Sequence, residues 1–417
     1  MQQRRNTAYS PGWLAGLALA GLLTLSACGN TDEQTLPQYD PAPSVLETPA
    51  PEVDRQTFRL PLQFTDPPVV DPGWQTPPQY GDGVFLSAEH AEDVLTFRAV
   101  DSSGTLLWEA DRPLSCTGFT ITSHDDLHYA VLTDIDAEVQ SLGNTVASAY
   151  DLHTGELAWG PIDVPGPHNG PGTVFAAPTE QAMGASDAKV VLDPASGDII
   201  VNEREHKVKV LGEFHGTVLT VDAQAIQAHR AADLATGGLE AEPLWTVPLE
   251  DHGWTAENLT ARSPVGLPDP SEAATSPAVL LGTDDTDRAL VDLTSAEVLA
   301  EGLSDAGQDP TSQSWVMLGE TLTGYGPTGQ ILYDEPNDGL EVRGIGAAMA
   351  YLENSDGDLE ARNVVTGQIG RAYDPDDTGT LAVPTGITAT GAGILEAEGR
   401  YYLATVPTVE QPEPEEP

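Results

Sequence analysis

The chain is poor in the residues that would allow several common ways of working. It has 417 residues but only two cysteines, Cys28 and Cys116, so a disulfide-stapled framework is excluded. Only three lysines occur, Lys189, Lys207 and Lys209, and all basic residues together number 17 against 65 acidic ones. Nucleic acid and anionic lipid are poor partners for such a surface, because counterion release needs clustered Lys and Arg. Long apolar runs are also lacking, apart from one stretch from Trp13 to Leu25 that is too short to span a bilayer comfortably. No extended 3.6-residue apolar period is present, which excludes a helical solenoid. Nucleophile-elbow, Walker-type and His-Glu-x-x-His motifs are absent as well, so the expectation is a protein that is not an enzyme.

What the N-terminus does contain is an export signal. Arg4 and Arg5 precede the apolar run, and small residues follow it at Ser26 and Ala27, giving a signal peptide over residues 1–27. Leu25-Ser26-Ala27-Cys28 resembles the lipobox of bacterial lipoproteins. That resemblance implies a diacylglycerol thioether on Cys28, acylation by a fatty acid such as palmitate, and an extracytoplasmic address on the bacterial cell membrane. Ordinary secretion with an incidental cysteine is the alternative. Removing residues 1–27 takes away two arginines and no carboxylate, so lipid must hold a body that charge repels from an anionic leaflet. Residues 28–56 are rich in Pro and acidic residues and read as a disordered tether, able to reach roughly 80 Å in polyproline geometry. Residues 408–417 alternate Glu and Pro and read as a disordered acidic tail.

Between these ends one short pattern returns: a hydroxyl residue, Gly, and an aliphatic residue two positions later. The copies are Ser103-Gly104, Thr154-Gly155, Ser196-Gly197, Thr236-Gly237, Thr328-Gly329 and Thr366-Gly367, with a degenerate one at Ser295-Ala296. Their mean spacing of about 44 residues is that of one four-stranded blade. Most turns begin at an Asp or Asn: Asp101, Asp151, Asp193, Asp233, Asp292 and Asn363. Such a side chain accepts hydrogen bonds from amides two residues on, and Gly supplies the positive φ that closes a hairpin. Four residues beyond the glycine stand Trp108, Trp159 and Tyr333, with Trp245 delayed in the fourth copy. An aromatic at one fixed place per repeat fills the wedge between adjacent sheets.

The copies, above all Ala149-Tyr150-Asp151-Leu152-His153-Thr154-Gly155-Glu156-Leu157-Ala158-Trp159, resemble the PQQ-like β-propeller repeat of quinoproteins and related bacterial lipoproteins. The resemblance implies an all-β propeller of four-stranded antiparallel blades over residues 57–407. Eight blades are expected, with Thr57 to Phe64 closing the last one, or seven if the copy at Gly329 is not a blade of its own. Family members include an envelope lipoprotein that scaffolds outer-membrane barrel assembly, so the implied role is a non-catalytic binding or scaffolding module with an envelope protein partner. A receptor for a small extracellular ligand and a quinoprotein-type oxidoreductase are the alternatives. The oxidoreductase would need an adjacent cysteine pair and a calcium site, and Cys116 has no neighbouring cysteine.

No cofactor is expected, and no catalytic, cofactor-binding or metal residues are assigned; the one site residue is Cys28. His124-Asp125-Asp126-Leu127-His128 has a metal spacing only on a helix, whereas on a strand the two imidazoles would lie about 13 Å apart. It therefore reads as a surface loop. Asn354-Ser355-Asp356-Gly357-Asp358 spaces oxygens as calcium loops do but is also a plain Asp-Gly turn, and the acidic runs at Asp284 and Asp374 raise the same question. His168-Asn169-Gly170-Pro171-Gly172 reads as a connection at a propeller rim, and Cys116 as a small buried hydrophobe.

Overall fold

A computed structural model describes residues 41–136, 144–177, 188–267, 277–284 and 286–406, all of them within one unit, Tyr39–Pro417. Cys28, the signal segment and the acidic tail lie outside the described residues. The strands form an eight-bladed β-propeller of antiparallel sheets, blades 2 to 7 running from the axis outward in chain order. Blade 2 is typical. Its strands Phe119–His124, Leu127–Asp136, Asn144–Asp151 and Leu157–Asp163 pair in sequence, and the Asp151–Gly155 turn joins the outer two. The copy at Gly329 joins Thr321–Tyr325 to Ile331–Pro336 in blade 6, so it is a blade of its own and the count is eight. In blade 3 the innermost strand shrinks to a bridge between His168 and Phe175, and in blade 7 the outermost shrinks to one between Arg362 and Ile369.

The turn chemistry follows the residue pattern. Oδ1 of Asp151 accepts from the amides of His153 and Thr154 at 3.0 and 2.8 Å, and the Gly155 amide donates to Asp151 O at 2.9 Å. Asp292 and Asn363 do the same for their turns. In the degenerate copy Ala296 takes φ +61°, the left-handed conformation that Gly155 and Gly197 adopt without a Cβ clash. The fourth copy departs from expectation: Thr236-Gly237 ends a helix, Ala231–Gly237, instead of a hairpin turn. That helix is the insertion that postpones the outer strand to Trp245–Pro248.

The recurring aromatics have a second duty besides filling space. The Trp108 indole N–H donates to Leu152 O at 2.9 Å, that of Trp159 to Pro194 O and that of Trp245 to Leu293 O, both at 2.8 Å. Each acceptor is the residue after the turn-opening Asp of the following blade. The rings lie against the glycine of that same turn: a Cβ built on Gly155 would come 3.0 Å from Trp108, on Gly197 2.6 Å from Trp159, and on Gly367 2.6 Å from Tyr333. At these three copies the aromatic of one repeat occupies the space a Cβ on the glycine of the next would need, whereas Trp245 packs in one cluster with Ala296 of the degenerate copy. Hairpin closure and blade-to-blade registration are two reasons for one residue.

Because each sheet is covered on both faces by its neighbours, the middle strands are buried on both sides. Val84–His90 carries a run of five buried residues and Ala278–Gly282 is buried throughout, in place of clean alternation. Phe97, Trp108, Phe119, Leu132 and Leu152 form the apolar layer between blades 1 and 2.

Ring closure differs from the sequence expectation in its residues. The outer strand of blade 8 is Val69–Val70, paired with Leu403 and Ala404 of Arg400–Ala404. Thr57 to Phe64 does not supply it, because Pro61 lacks an amide hydrogen and short 3-10 turns occupy Arg55–Thr57 and Leu62–Phe64. That segment instead buries Leu60 and Phe64 beside Tyr351, Ile387 and Leu395.

The expected tether also needs correcting from residue 41 onward. Ser44–Pro49 adds a fifth strand to the outer edge of blade 1, pairing Val45 with Trp108 and Thr48 with Leu106. The chain then crosses to blade 8, where the Val53 amide donates to Val69 O and the Asp71 amide to Pro51 O. Ala50 is buried with Val70, Trp74 and Leu403, and its amide donates to Gly104 O at 2.8 Å. A composition without apolar period is ordered here because a sheet edge supplies main-chain partners that the segment cannot make alone. The resulting strap covers the seam where the two ends of the ring meet.

Candidate functional site

Inner strands of blades 1 to 5 surround a cavity of about 340 Å3 at the axis. Its wall includes Gln79 and Tyr80, Thr120 and Ile121, the loop His168–Gly172, Glu213 to His215, and Ser263 to Leu267. The loop at His168 is therefore not an outlying connection at the rim, as its Gly and Pro content suggests. It replaces the inner strand of blade 3 and faces the axis. Gly172 is obligatory there: its φ is +68°, and a Cβ would fall 2.2 Å from Glu213.

Glu213 is the most unusual group in this wall, a carboxyl 1 % exposed on the strand Lys209–Phe214. It accepts from Thr122 Oγ1 of blade 2 at 3.0 Å, from the Thr173 amide of blade 3 at 3.0 Å, and from its own hairpin's Gly216 amide at 2.5 Å. Burial pushes its pKa up, against the pull of those amides and the hydroxyl. One side chain thus ties three blades together near the axis. Sequence reasoning missed it, although a glutamate inside Lys209-Val210-Leu211-Gly212-Glu213-Phe214 is a visible break in an apolar strand.

His168 is held neutral by the same cause, its pKa lowered by burial and only partly restored by a bond to Gly172. Nε2 lies 2.7 Å from Gly172 O, and a neutral ring can meet a carbonyl only through the N–H, so Nε2 carries the proton. The ring stands edge-on to Phe175 at 5.8 Å. The cavity offers apolar wall, backbone carbonyls and one oriented imidazole, a lining suited to holding a small polar molecule.

A second, larger cleft of about 660 Å3 lies where hairpin loops of blades 1, 2 and 4 converge. Asp82, His124, Asp125, Asp126, His128, His215 and Arg230 line it. His124 and His128 are not four residues apart along a strand: the turn at Asp125–Asp126 folds back, setting His128 opposite Ser123 and His124 opposite Leu127. The 13 Å argument therefore fails, because it assumed a straight strand, while the loop reading places the pair at this opening. His124 Nε2 sits 3.5 Å from Asp125 Oδ2. Among the described residues no group of three or more His, Cys, Asp or Glu side chains is arranged to hold a metal ion.

The remaining acidic motifs do turn work. Oδ1 of Asn354 accepts from the amides of Asp356 and Asp358, and Gly357 takes φ +84° between Met349–Glu353 and Leu359–Asn363. Asp284 and Asp374 each accept from the amide two residues on. Cys116 is buried and free, and desolvation pushes its thiol up to about 11. Where the tether meets the ring, Arg112 is buried and donates to Pro41 O at 2.9 Å and to Tyr150 Oη at 2.8 Å, which fixes the chain between blades 1 and 2.

No family model and no curated protein matches the sequence. Among solved structures the chain is similar to BamB from Moraxella catarrhalis, with 14 % identity, a TM-score of 0.40, and coverage of 86 % of this chain and 99 % of that one. It is similar to the computationally designed Ika8 protein at 13 % identity and a TM-score of 0.41, covering 84 % and 99 %. Sqt1 from Saccharomyces cerevisiae gives 13 % and 0.41, covering 81 % and 98 %. None of these likenesses assigns a role to a residue of this chain.

Proposed function

We propose that this protein is a lipid-anchored, extracytoplasmic propeller that acts as a non-catalytic binding or scaffolding module for an envelope protein. The observation that carries the reading is the open cleft of about 660 Å3, whose wall is assembled from loops of several blades around a rigid ring. Recognition built this way needs no local motif, since each blade contributes a little. The anchoring half rests on Leu25-Ser26-Ala27-Cys28, with the described residues beginning at Pro41. The 13 residue steps from Cys28 to Pro41 allow a reach of at most about 45 Å. Crosslinking in intact cells followed by mass spectrometry tests the partner: a reproducible protein crosslinked through residues 123–128 or 215–217 supports the reading, and its absence overturns it. Cys28→Ser should abolish partition into the detergent phase. A second reading, a receptor for a small extracellular ligand, is favoured by the axial cavity with its oriented His168, and a sugar or peptide co-purifying with the chain would select it.

A further inference from the structure

Every blade but the strapped ones ends in an outer strand whose far side has no strand beside it among the described residues. Proteins usually blunt such edges. Here most are blunted by identifiable means. Blade 2 carries Pro161 in mid-strand, blades 3 and 4 have outer strands of four residues, blade 7 retains a single bridge, and the strap covers blades 1 and 8. In blade 5 the outer strand Val298–Leu303 is broken by two register irregularities against Arg288–Asp292 and by Gly302 at φ +70°.

Blade 6 is the exception. Its outer strand Ile331–Pro336 has six residues with proline only at the last, and Ile331 is 62 % exposed. Ile331 occupies the place that Leu106 holds in blade 1, two residues after the motif glycine. Leu106 is half-buried, and the strand opposite it is Ser44–Pro49. Blade 1 therefore displays on the same molecule what the equivalent edge accepts: an extended segment in antiparallel register. The charge of the guest follows from the strand and the body around it: Asp334 is exposed and accepts from the Thr323 hydroxyl, Glu335 is shared with Arg362 at 2.6 Å, and the chain has 65 acidic against 17 basic residues. An acidic or neutral segment would gain main-chain bonds only, whereas a basic one also gains charge complementarity.

We propose that the outer edge of blade 6, Ile331–Pro336, is a β-augmentation site for an extended partner segment with Lys or Arg at alternate positions. This deepens the scaffolding reading and rests on it, but the two can fail separately: crosslinks confined to the loop cleft would remove this site and leave the scaffold standing. The probe is a blocked eight-residue peptide of alternating lysine and valine, added to the full chain in detergent, with binding read by fluorescence anisotropy and by amide hydrogen exchange. Slowed exchange confined to residues 331–336 is expected. Ile331→Asp and Asp334→Lys should each weaken binding about tenfold or more, while Glu205→Lys, on the exposed helix Glu203–His206, leaves it unchanged. Thermal midpoints equal to the unaltered chain's certify that the variants fold. The proposal is overturned by no binding at about 1 mM peptide, by binding without protection of 331–336, by variants within twofold of the original, or by equal binding of a peptide N-methylated on every second residue.

Discussion

If the motif glycines exist to admit the aromatic of the preceding blade, adding one methyl group should cost very different amounts at two copies with the same backbone conformation. Gly197 has φ +76° and Gly329 +77°, so both alanine variants carry the left-handed penalty of roughly 1–2 kcal/mol. At Gly329 nothing lies within 4 Å of the new Cβ, because blade 5 has Ala300 where blades 1, 2 and 6 have an aromatic. At Gly197 the same Cβ would fall 2.6 Å from Trp159 and from Ile162, and overpacking of this kind adds roughly 1–3 kcal/mol. Gly197→Ala is thus expected to cost about 2–5 kcal/mol and Gly329→Ala about 1–2. Ala296→Gly, which relieves φ +61° in the degenerate copy, should stabilise by up to about 1 kcal/mol. Urea unfolding followed by tryptophan fluorescence measures all three. Pairing Gly197→Ala with Trp159→Ala completes a double-mutant cycle, in which the two losses should sum to less than their separate values. Equal costs at Gly197 and Gly329, or strict additivity in the cycle, would refute the account of why aromatic and glycine recur together.

Trp108→Phe keeps the ring but leaves Leu152 O without its donor, and should cost about 1–3 kcal/mol in the same assay. Glu213 has its folded pKa raised above the ordinary 4.5, so its favourable contribution is complete below that value and lost as pH rises through the folded pKa. The stability advantage of the unaltered chain over Glu213→Gln should accordingly shrink as pH rises above 4.5, and an advantage that grows with pH would contradict the burial of the carboxyl. Ala50→Asp places a carboxylate under the strap beside Val70 and Trp74; a loss of roughly 3 kcal/mol and faster amide exchange at residues 44–53 are expected. Cys116, with its thiol near 11, should resist a water-soluble disulfide reagent at pH 8 until denaturant is added.

Much of the fold could be read in advance because its determinants are local. Asp151, Thr154 and Gly155 sit within five residues and satisfy one another's hydrogen bonds, so the turn leaves the same trace in most copies. The strands on either side follow from that spacing, while the choice between eight and seven blades waited for the hairpin at Gly329. Legibility ended where partners are distant in sequence. Thr57 to Phe64 and Val69–Val70 are both short apolar stretches, and only the place opened by Arg400–Ala404 selects the second as the closing strand. Ser44–Pro49 has no apolar period to betray it, since its order comes from Thr105–Pro113. The candidate site was the least legible part: Thr122, Thr173 and Glu213 stand up to 91 residues apart and signal nothing until blades 2, 3 and 4 converge.

By itself, the chain's order of residues determined a ring of repeated hairpins and a strongly acidic surface, because each depends on neighbours in sequence or on plain composition. Only the tertiary structure decided which segment locks the ring, that a proline-rich stretch becomes a strap, and which loops enclose the axial cavity. Those outcomes turn on main-chain groups and buried polar atoms finding partners dozens to hundreds of residues away, and closure alone brings such partners within hydrogen-bond reach.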